Sequence, residues 1–376
     1  MKRWQFQDRT LFNDFFKTNK TSFQGSTYPE IFVGRYGYPN INLGILSPPT
    51  TTTNVGTLSS PKEWYSTNLT FEEIVNNRCQ LIYSKFKEHI KFTKTRFLKD
   101  LQELTMAKQQ TDLDIELTRK PKFKPEFDSR SHPLTNTAPL KKVILTENIK
   151  IERRVEYIVS DTDCKSTEGL LDLYNHNIHN ETLIKLLSAG MLGVKRKLVP
   201  TRWSITAVDD TLSKNLIKKI RDYKWISEIT LHSIEYLGNH YEILLLPKHW
   251  CFEVIEIELS NNRIWHDHEG IFGRKTYASD VTGGYYAVRL AVTEHLEQIK
   301  RQASVLILRE IKPNYNVPLG VGILRECVRS CFKNKTTFQT INKAIQHLQQ
   351  QLETDIIKKS EIIKMFKTQT TLSSFC

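Results

Sequence analysis

The stretch Trp265-His266-Asp267-His268-Glu269-Gly270 sets four consecutive side chains that can bind a metal or exchange protons. In an extended segment neighbours alternate sides, so only His266 with His268, or Asp267 with Glu269, can converge. Downstream come Arg274 and Lys275, then Thr282-Gly283-Gly284 at the start of an expected helix. Free N–H groups at such a start suit an anion. Arg274, Lys275, Gly283 and Gly284 are therefore candidates for a phosphate or DNA contact.

A second set lies in Val199-Pro-Thr-Arg202-Trp-Ser-Ile-Thr-Ala-Val-Asp209-Asp210. A strand ending in two acids would present Asp209 and Asp210 to a metal or a basic partner, with Arg202 as a further DNA or phosphate candidate. The same acids could instead cap a helix beginning near Ser213. A third set is Phe32-Val-Gly34-Arg35-Tyr-Gly37-Tyr-Pro39-Asn-Ile-Asn42-Leu-Gly44. Its glycines permit positive φ and close backbone approach, and Arg35 could fork onto a phosphate; a tight structural turn explains the same residues equally well. Cys327 and Cys331, at i and i+4 of an expected helix, lack the further ligands of a tetrahedral zinc site and read as core.

The last residues, Gln369-Thr-Thr-Leu372-Ser-Ser-Phe375-Cys376, have the spacing of a peptide that docks on a sliding clamp. In a 3₁₀ turn, side chains at i and i+3 eclipse, so Leu372 and Phe375 would form one apolar plug while the Gln369 amide bonds the edge of the groove. Cys376 stands where the full motif has a second aromatic, a loss of roughly 1.5–3 kcal/mol, or about ten- to a hundredfold in affinity. The bland alternative is a polar tail with one Leu and one Phe.

These residues belong to a chain of 376, with 39% hydrophobic and 25% charged residues, long enough for two domains or one body with appendages. The balance of 54 Lys+Arg against 41 Asp+Glu, a net +13, favours a polyanionic partner such as DNA. No run of about 18 apolar residues occurs, so no membrane span or membrane partner is expected. The opening MKRWQFQDRTLFNDFF has no apolar signal-peptide core. Six scattered cysteines do not form a disulfide framework, which points to a reducing, cytoplasmic location.

The elements that must position the candidates are these. Residues 1–24 form an N-terminal extension, 25–368 the main body, and 369–376 the tail. A long helix is expected over 69–107, capped by Asn68 or Thr70, with Leu81, Phe86, Ile90, Phe97, Leu101 and Leu104 on one face. Lys85, Lys87, Lys91, Lys94, Arg96 and Lys99 would form its other face, either solvated or turned to DNA. The Pro- and Lys-rich residues 119–140 read as a connection, and any internal boundary of the body is expected there. A strand pair follows at 142–159, and helices at 167–176 and 181–190. Strands are expected at 204–208, 226–231, 241–246, 252–259 and 305–311. Helices are expected at 213–223, 283–302, 319–331, 337–352 and 354–367. Strands clustered between helical blocks give an α+β fold: a central mixed or antiparallel sheet with flanking helices, a long N-terminal helix and a C-terminal helical segment.

Several of these segments together resemble the Nre family of archaeal DNA repair proteins. They are VGRYGYPNINLG (33–44), EGLLDLYNHN (168–177), KLLSAGMLG (185–193), VPTRWSITAVDD (199–210), HDHEGIFGRKTYASDVTGGYYAVRLAVTEHL (266–296), VLILREIKPNYNVPLGVGILRE (305–326) and the terminal QTTLSSFC. The resemblance implies a repair factor brought to DNA through the clamp PCNA, with no defined reaction to transfer. Family members typically begin with a cysteine cluster that looks like a zinc module, whereas the first cysteine here is Cys79. No N-terminal zinc site, other metal or cofactor is therefore expected. A DNA contact made by that module would be absent or replaced by residues 1–24.

The leading expectation is a DNA-binding repair protein tethered to the clamp by its PIP-like tail, where a flexible link raises effective concentration. The alternative is a metal- or phosphate-dependent enzyme acting on DNA or nucleotides, with Asp209, Asp210, His266, His268 and Glu269 as its catalytic candidates. A third reading is a protein-interaction scaffold without DNA contact.

Overall fold

The computed structural model describes residues 19–368, apart from Pro29, Thr53 and residues 92–94. The chain divides into two compact units: residues through Leu212 with Val317–Ile323, and Ser213–Asn316 with Leu324 onward. Helices and two mixed sheets, one in each unit, make the architecture α+β.

The first unit is built on β1 (Ser22–Thr27), β2 (Ile31–Val33), β3 (Asn40–Ser47), β4 (Ile82–His89), β5 (Thr111–Leu117), β6 (Lys122–Glu126) and β7 (Leu134–Leu145). The order is β1-β5-β7-β4-β3-β2, with β6 also on β7, and all pairs are antiparallel except β4 with β7. Strand β5 (TDLDIEL) alternates buried and half-buried residues, so Leu113, Ile115 and Leu117 point into the core. At the rim of this sheet Glu30 is buried among Lys185 (2.9 Å), Arg78 (3.6 Å) and His132 (3.7 Å). Burial acts to raise the Glu30 pKa, but Lys185, His132 and Arg78 outweigh it and hold it at about 2.

Two expectations fail here for the same physical reason. The single helix over 69–107 is replaced by the helix Phe71–Cys79, strand β4 and the helix Arg96–Thr105. Thr70, not Asn68, caps the first helix through a capping box with Glu73, and Thr95 caps the second. The apolar residues between them fit a helical period, but IYSKFKEH is rich in β-formers and bonds to β3 and β7, partners distant in sequence. Lys85, Lys87, Lys91, Arg96 and Lys99 consequently do not share one helical face. Residues 119–140 likewise hold β6 and the start of β7 rather than an open connection, and the expected second strand before 159 is the helix Arg153–Ser160.

The second unit carries β8 (Ile229–Tyr236), β9 (Asn239–Leu246), β10 (Cys251–Glu258), β11 (Arg263–Glu269), β12 (Ser304–Ile311) and β13 (Thr336–Phe338), in the order β11-β10-β12-β9-β8-β13. Only β10 and β12 run parallel, and the crossover between them contains the helix Gly283–Ile299. Strand β12 is buried at every position, as a central strand covered on both faces should be. Its Leu306 and Leu308, with Leu244, Leu246, Ile255 and Ile257, pack against Ala344, Leu348, Ile356 and Ile363 of the C-terminal helical segment. The segment 204–208, expected as a strand, lies inside the helix Thr201–Ile220. Its β-branched residues favour a strand locally, but buried Ile205, Val208, Leu212, Leu216 and Ile220 continue one helical stripe, and that longer period wins.

Candidate nucleic-acid interface

Three loop segments of the first unit meet at one place. Ile90 N–H donates to Pro39 O (3.0 Å) and Leu198 N–H to Ile90 O (2.9 Å), while Val33 N–H donates to Thr201 Oγ1 (2.9 Å). The turn before Asn40 is thereby tied to residues 90–91 and to the segment leading into the helix Thr201–Ile220. Gly37 makes the turn possible: its φ is +83°, and an added Cβ would fall 2.7 Å from Asn40 O. Gly44 serves packing, since a Cβ there would fall 2.1 Å from Ser84 O on the neighbouring strand. Gly37 thus serves the turn and Gly44 the close approach of β3 to β4.

The side chains between them are open. Tyr36 is 69% exposed, Tyr38 48% and Trp203 44%. The Tyr38 and Trp203 rings stand 5.6 Å apart at 54°, so the first and second sequence clusters touch here. Arg35 lies 4.9 Å from the centre of the Tyr36 ring and donates to its hydroxyl (3.1 Å). Lys91, Lys195 and Lys197, on the adjoining segments, are exposed. Among the described residues no carboxylate pairs with Arg35, Lys91, Lys195 or Lys197. Neighbouring cations are otherwise engaged: Arg202 pairs with Asp128 (2.7 Å), and Arg196 bonds the carbonyls of Gly193, Val159 and Asp161. Exposed aromatics beside unpaired cations suit a nucleic acid, which offers phosphates and base faces together.

Asp209 and Asp210 do not form a carboxylate pair facing solvent. They sit at successive helical positions inside Thr201–Ile220, where Asp209 is fully buried and Asp210 half-buried. Neither caps a helix beginning near Ser213, because the helix starts at Thr201 and is more than three turns old there.

The second unit turns its candidate residues inward. Along β11, Asp267 and Glu269 are buried while His268 is exposed and His266 half-exposed, which is the alternation expected of a strand. Asp267 accepts the N–H groups of Asp280 (3.0 Å) and Val281 (2.8 Å) and pairs with Arg274 (3.0 Å). Arg274 further donates to the carbonyls of His268, Thr276 and Tyr277, so it pins a loop rather than offering itself to a phosphate. Glu269 accepts from Arg289 (2.7 Å) and from Trp250 Nε1 (3.3 Å). At Gly284 an added Cβ would stand 3.4 Å from Glu256 Oε1, and Glu256 is in turn held by Arg309 (2.8 Å). The helix start at Gly283 and Gly284 is buried against an internal anion, not open to an external one.

His266 also has a structural task. It bonds Glu253 (2.7 Å), which accepts Ser360 Oγ (2.6 Å) and the N–H groups of Glu361 (2.8 Å) and Ile362 (3.0 Å). Burial acts to raise the Glu253 pKa, but these hydrogen bonds outweigh it and keep the carboxyl ionised. Glu253 thus satisfies the first turn of the helix Glu361–Thr368, the last described element. Glu310 accepts the N–H groups of Glu353 (3.0 Å) and Thr354 (2.9 Å), and shares His240 with Glu242. Hydrogen bonds to Glu242 and Glu310 raise the His240 pKa to about 9.

Of the sequence candidates, then, Arg35 lies on the open face and Lys275 is exposed in the second unit. Arg202, Arg274, Glu269, His266, Gly283 and Gly284 are held in internal contacts. Among the described residues, no group of three His, Cys, Asp or Glu could hold a metal ion, and no helix is long and apolar enough to cross a membrane. Cys327 and Cys331 are buried, and burial pushes the Cys327 thiol up to about 12, as core cysteines require. The clamp-type residues Gln369, Leu372, Phe375 and Cys376 lie outside the described residues. Tyr36, Tyr38, Trp203, Lys91, Lys195 and Lys197 were not singled out as a site from sequence. The available signal was an Arg-Tyr-Gly-Tyr-Pro turn and a basic run ahead of a Pro-Thr-Arg-Trp helix start.

Two family models match the chain: "Archaeal Nre, N-terminal" over residues 6–266 and "Archaeal Nre, C-terminal" over residues 269–375. DNA repair protein NreB of Archaeoglobus fulgidus is 35% identical over 358 residues, covering 92% of this chain and 90% of the relative. DNA repair protein NreA of the same organism is 36% identical over 360 residues, 92% and 88% of the two chains. DNA repair protein NreA of Haloferax volcanii is 30% identical over 371 residues, again 92% and 88%. No solved structure matches the chain.

Proposed function

The chain belongs to the archaeal Nre family, and from that premise we propose that it is a DNA repair protein that binds DNA and is brought to its site by a sliding clamp of the PCNA type. The observation that carries the DNA-binding part is the open face of the first unit, where three exposed aromatics stand with four cations that no described carboxylate neutralises. Phosphate contacts from such cations supply most of the affinity of a DNA-binding surface and make it salt-dependent. The clamp part is supported by Gln369, Leu372 and Phe375, spaced to form one apolar plug and one amide contact. They follow directly on the helix Glu361–Thr368, whose first turn Glu253 anchors to β10.

The clamp reading is tested by pull-down of purified PCNA with the full chain, with a variant lacking residues 369–376, and with Leu372→Ala/Phe375→Ala. Capture by the full chain and loss in both variants is the expected result. Undiminished capture by the shortened chain contradicts it. Replacing Cys376 by Phe is expected to tighten binding about ten- to a hundredfold, by restoring the second aromatic.

A further inference from the structure

We infer that the open face of the first unit takes single-stranded DNA, with unpaired bases stacked on Tyr36, Tyr38 and Trp203 and the phosphates followed by Arg35, Lys91, Lys195 and Lys197. The inference rests on the DNA-binding reading above and adds the strandedness of the ligand to it.

Single-stranded and duplex DNA offer different surfaces to an exposed ring. In a duplex every base face is covered by its neighbours, so a protein meets phosphates, sugars and groove edges. Only an unpaired base has a free π-face for Tyr36, Tyr38 or Trp203. These rings are 69%, 48% and 44% exposed, although residues of their size usually bury most of their surface. The backbone that carries Tyr38 and Trp203 is also held by hydrogen bonds. Trp203 is in the first turn of its helix, where its backbone N–H donates to Pro200 O (2.8 Å). Tyr38 packs against Trp203 and precedes Pro39, whose carbonyl accepts Ile90 N–H (3.0 Å). Tyr36 carries the Arg35 guanidinium at 4.9 Å and remains open. Rings carried on a held backbone lose less conformational freedom on binding than rings on an open loop, which favours stacking.

Charge selects the occupant. A protein partner docking on an aromatic patch would favour mixed or neutral surroundings, whereas here four cations lie on the segments that carry or adjoin the rings, none of them in an ion pair with a described carboxylate. A strand that threads bases over aromatics must carry its phosphates alongside, and cations in that position neutralise them.

The test is fluorescence anisotropy of the full-length protein with a labelled strand of about 16 nucleotides, within the span such surfaces hold. The same strand annealed to its complement and an RNA strand of the same sequence complete the set. The expected result is that the single DNA strand binds at least about tenfold more tightly than the duplex. Tyr36→Ala/Trp203→Ala should then lose about 10- to 100-fold in single-strand affinity and less than about threefold for duplex. Single-strand binding should also quench tryptophan emission in the wild type, and Trp203→Phe should remove that change. If Trp203→Ala lowers the melting temperature, Tyr36→Ala alone carries the test, since Tyr36 is the most exposed of the three. Duplex bound as tightly as single strand, equal losses for both forms in the aromatic variants, or RNA held more than about tenfold more tightly than DNA would each overturn the inference and leave nucleic-acid binding standing. Absence of binding to any of the three at low salt would overturn the DNA-binding reading itself, and this inference with it.

Discussion

Arg35 in the first unit and Arg289 in the second both lie beside a tyrosine ring, at 4.9 Å from Tyr36 and 5.5 Å from Tyr285. Arg289 is 1% exposed and holds the buried carboxylate of Glu269 at 2.7 Å. Arg35 is half-exposed and meets a tyrosine hydroxyl instead of a carboxylate. The same contrast runs through both regions. In the second unit Arg274, Arg309, His240 and His266 each serve a buried acid, while Lys91, Lys195 and Lys197 of the first serve none that is described. A buried carboxylate costs several kcal/mol unless it is paired and hydrogen-bonded, so cations placed beside one belong to the fold. Cations left with aromatics at the surface are available to a partner. Residue type is common to the two regions, and the burial of an acid separates them.

The largest expected effect comes from removing a buried cation of the second unit. Arg289→Met leaves Glu269 buried without its ion pair and should cost about 3–5 kcal/mol in urea unfolding. A change below about 1 kcal/mol there would mean that Glu269 is not in fact dependent on Arg289. Glu253→Gln comes next, at about 1–3 kcal/mol, because neutralising this carboxylate weakens its bonds to Ser360 and to the first turn of the helix Glu361–Thr368. Amide hydrogen exchange in that helix should rise with it, and unchanged protection would count against the anchoring role.

The two regions should also fail at opposite ends of the pH scale. The Glu30 pKa is lowered from 4.5 to about 2, so its contribution is complete above 4.5 and is lost as pH falls from 4.5 through 2. The His240 pKa is raised from 6.5 to about 9, so its contribution is complete below 6.5 and is lost as pH rises through 9. Unfolding curves across pH should therefore flatten on the acid side in Glu30→Gln and on the alkaline side in His240→Gln. Exchanged effects would show that the wrong groups have been assigned to the two limbs. The smallest expected stability effect is that of Lys91→Gln/Lys195→Gln/Lys197→Gln, within about 0.5 kcal/mol of the wild type, as exposed and unpaired side chains imply.

Much of the second unit was legible in the sequence. The helix Gly283–Ile299 and the strands β10 and β12 follow from apolar runs long enough, and sufficiently β-branched or helical in period, to leave one solution. Strand β4 was not legible, because IYSKFKEH becomes a strand through hydrogen bonds to residues 40–47 and 136–139, which no local window contains. The helix Thr201–Ile220 was misread over 204–208 because Ile205, Thr206 and Val208 resemble a strand until Leu212, Leu216 and Ile220 are counted with them. For the site, Arg35 was visible as an arginine in a turn. That Tyr36, Tyr38 and Trp203 stay exposed was not, since exposure of an aromatic is decided by what packs against it. Arg274 and the Gly283-Gly284 start looked like an anion site for the mirror-image reason. Arg274 does meet an anion, but it is the internal Asp267, and the carboxylate beside Gly284 is the internal Glu256.

That Arg35, Lys91, Lys195 and Lys197 are open to DNA, whereas Arg274, Arg289 and Arg309 are committed to buried acids, is tested directly by one measurement. Two variants that each remove three exposed lysines are compared for binding to labelled DNA over a salt series: Lys91→Gln/Lys195→Gln/Lys197→Gln, and Lys224→Gln/Lys275→Gln/Lys333→Gln. The net-charge change is identical, so general electrostatics cannot distinguish them. The account predicts that the first variant loses at least about tenfold in affinity at low salt, with the slope of log K against log salt reduced by about 0.7 for each phosphate no longer neutralised. The second should remain within about twofold of the wild type. Equal losses, or the greater loss in the second variant, would contradict it.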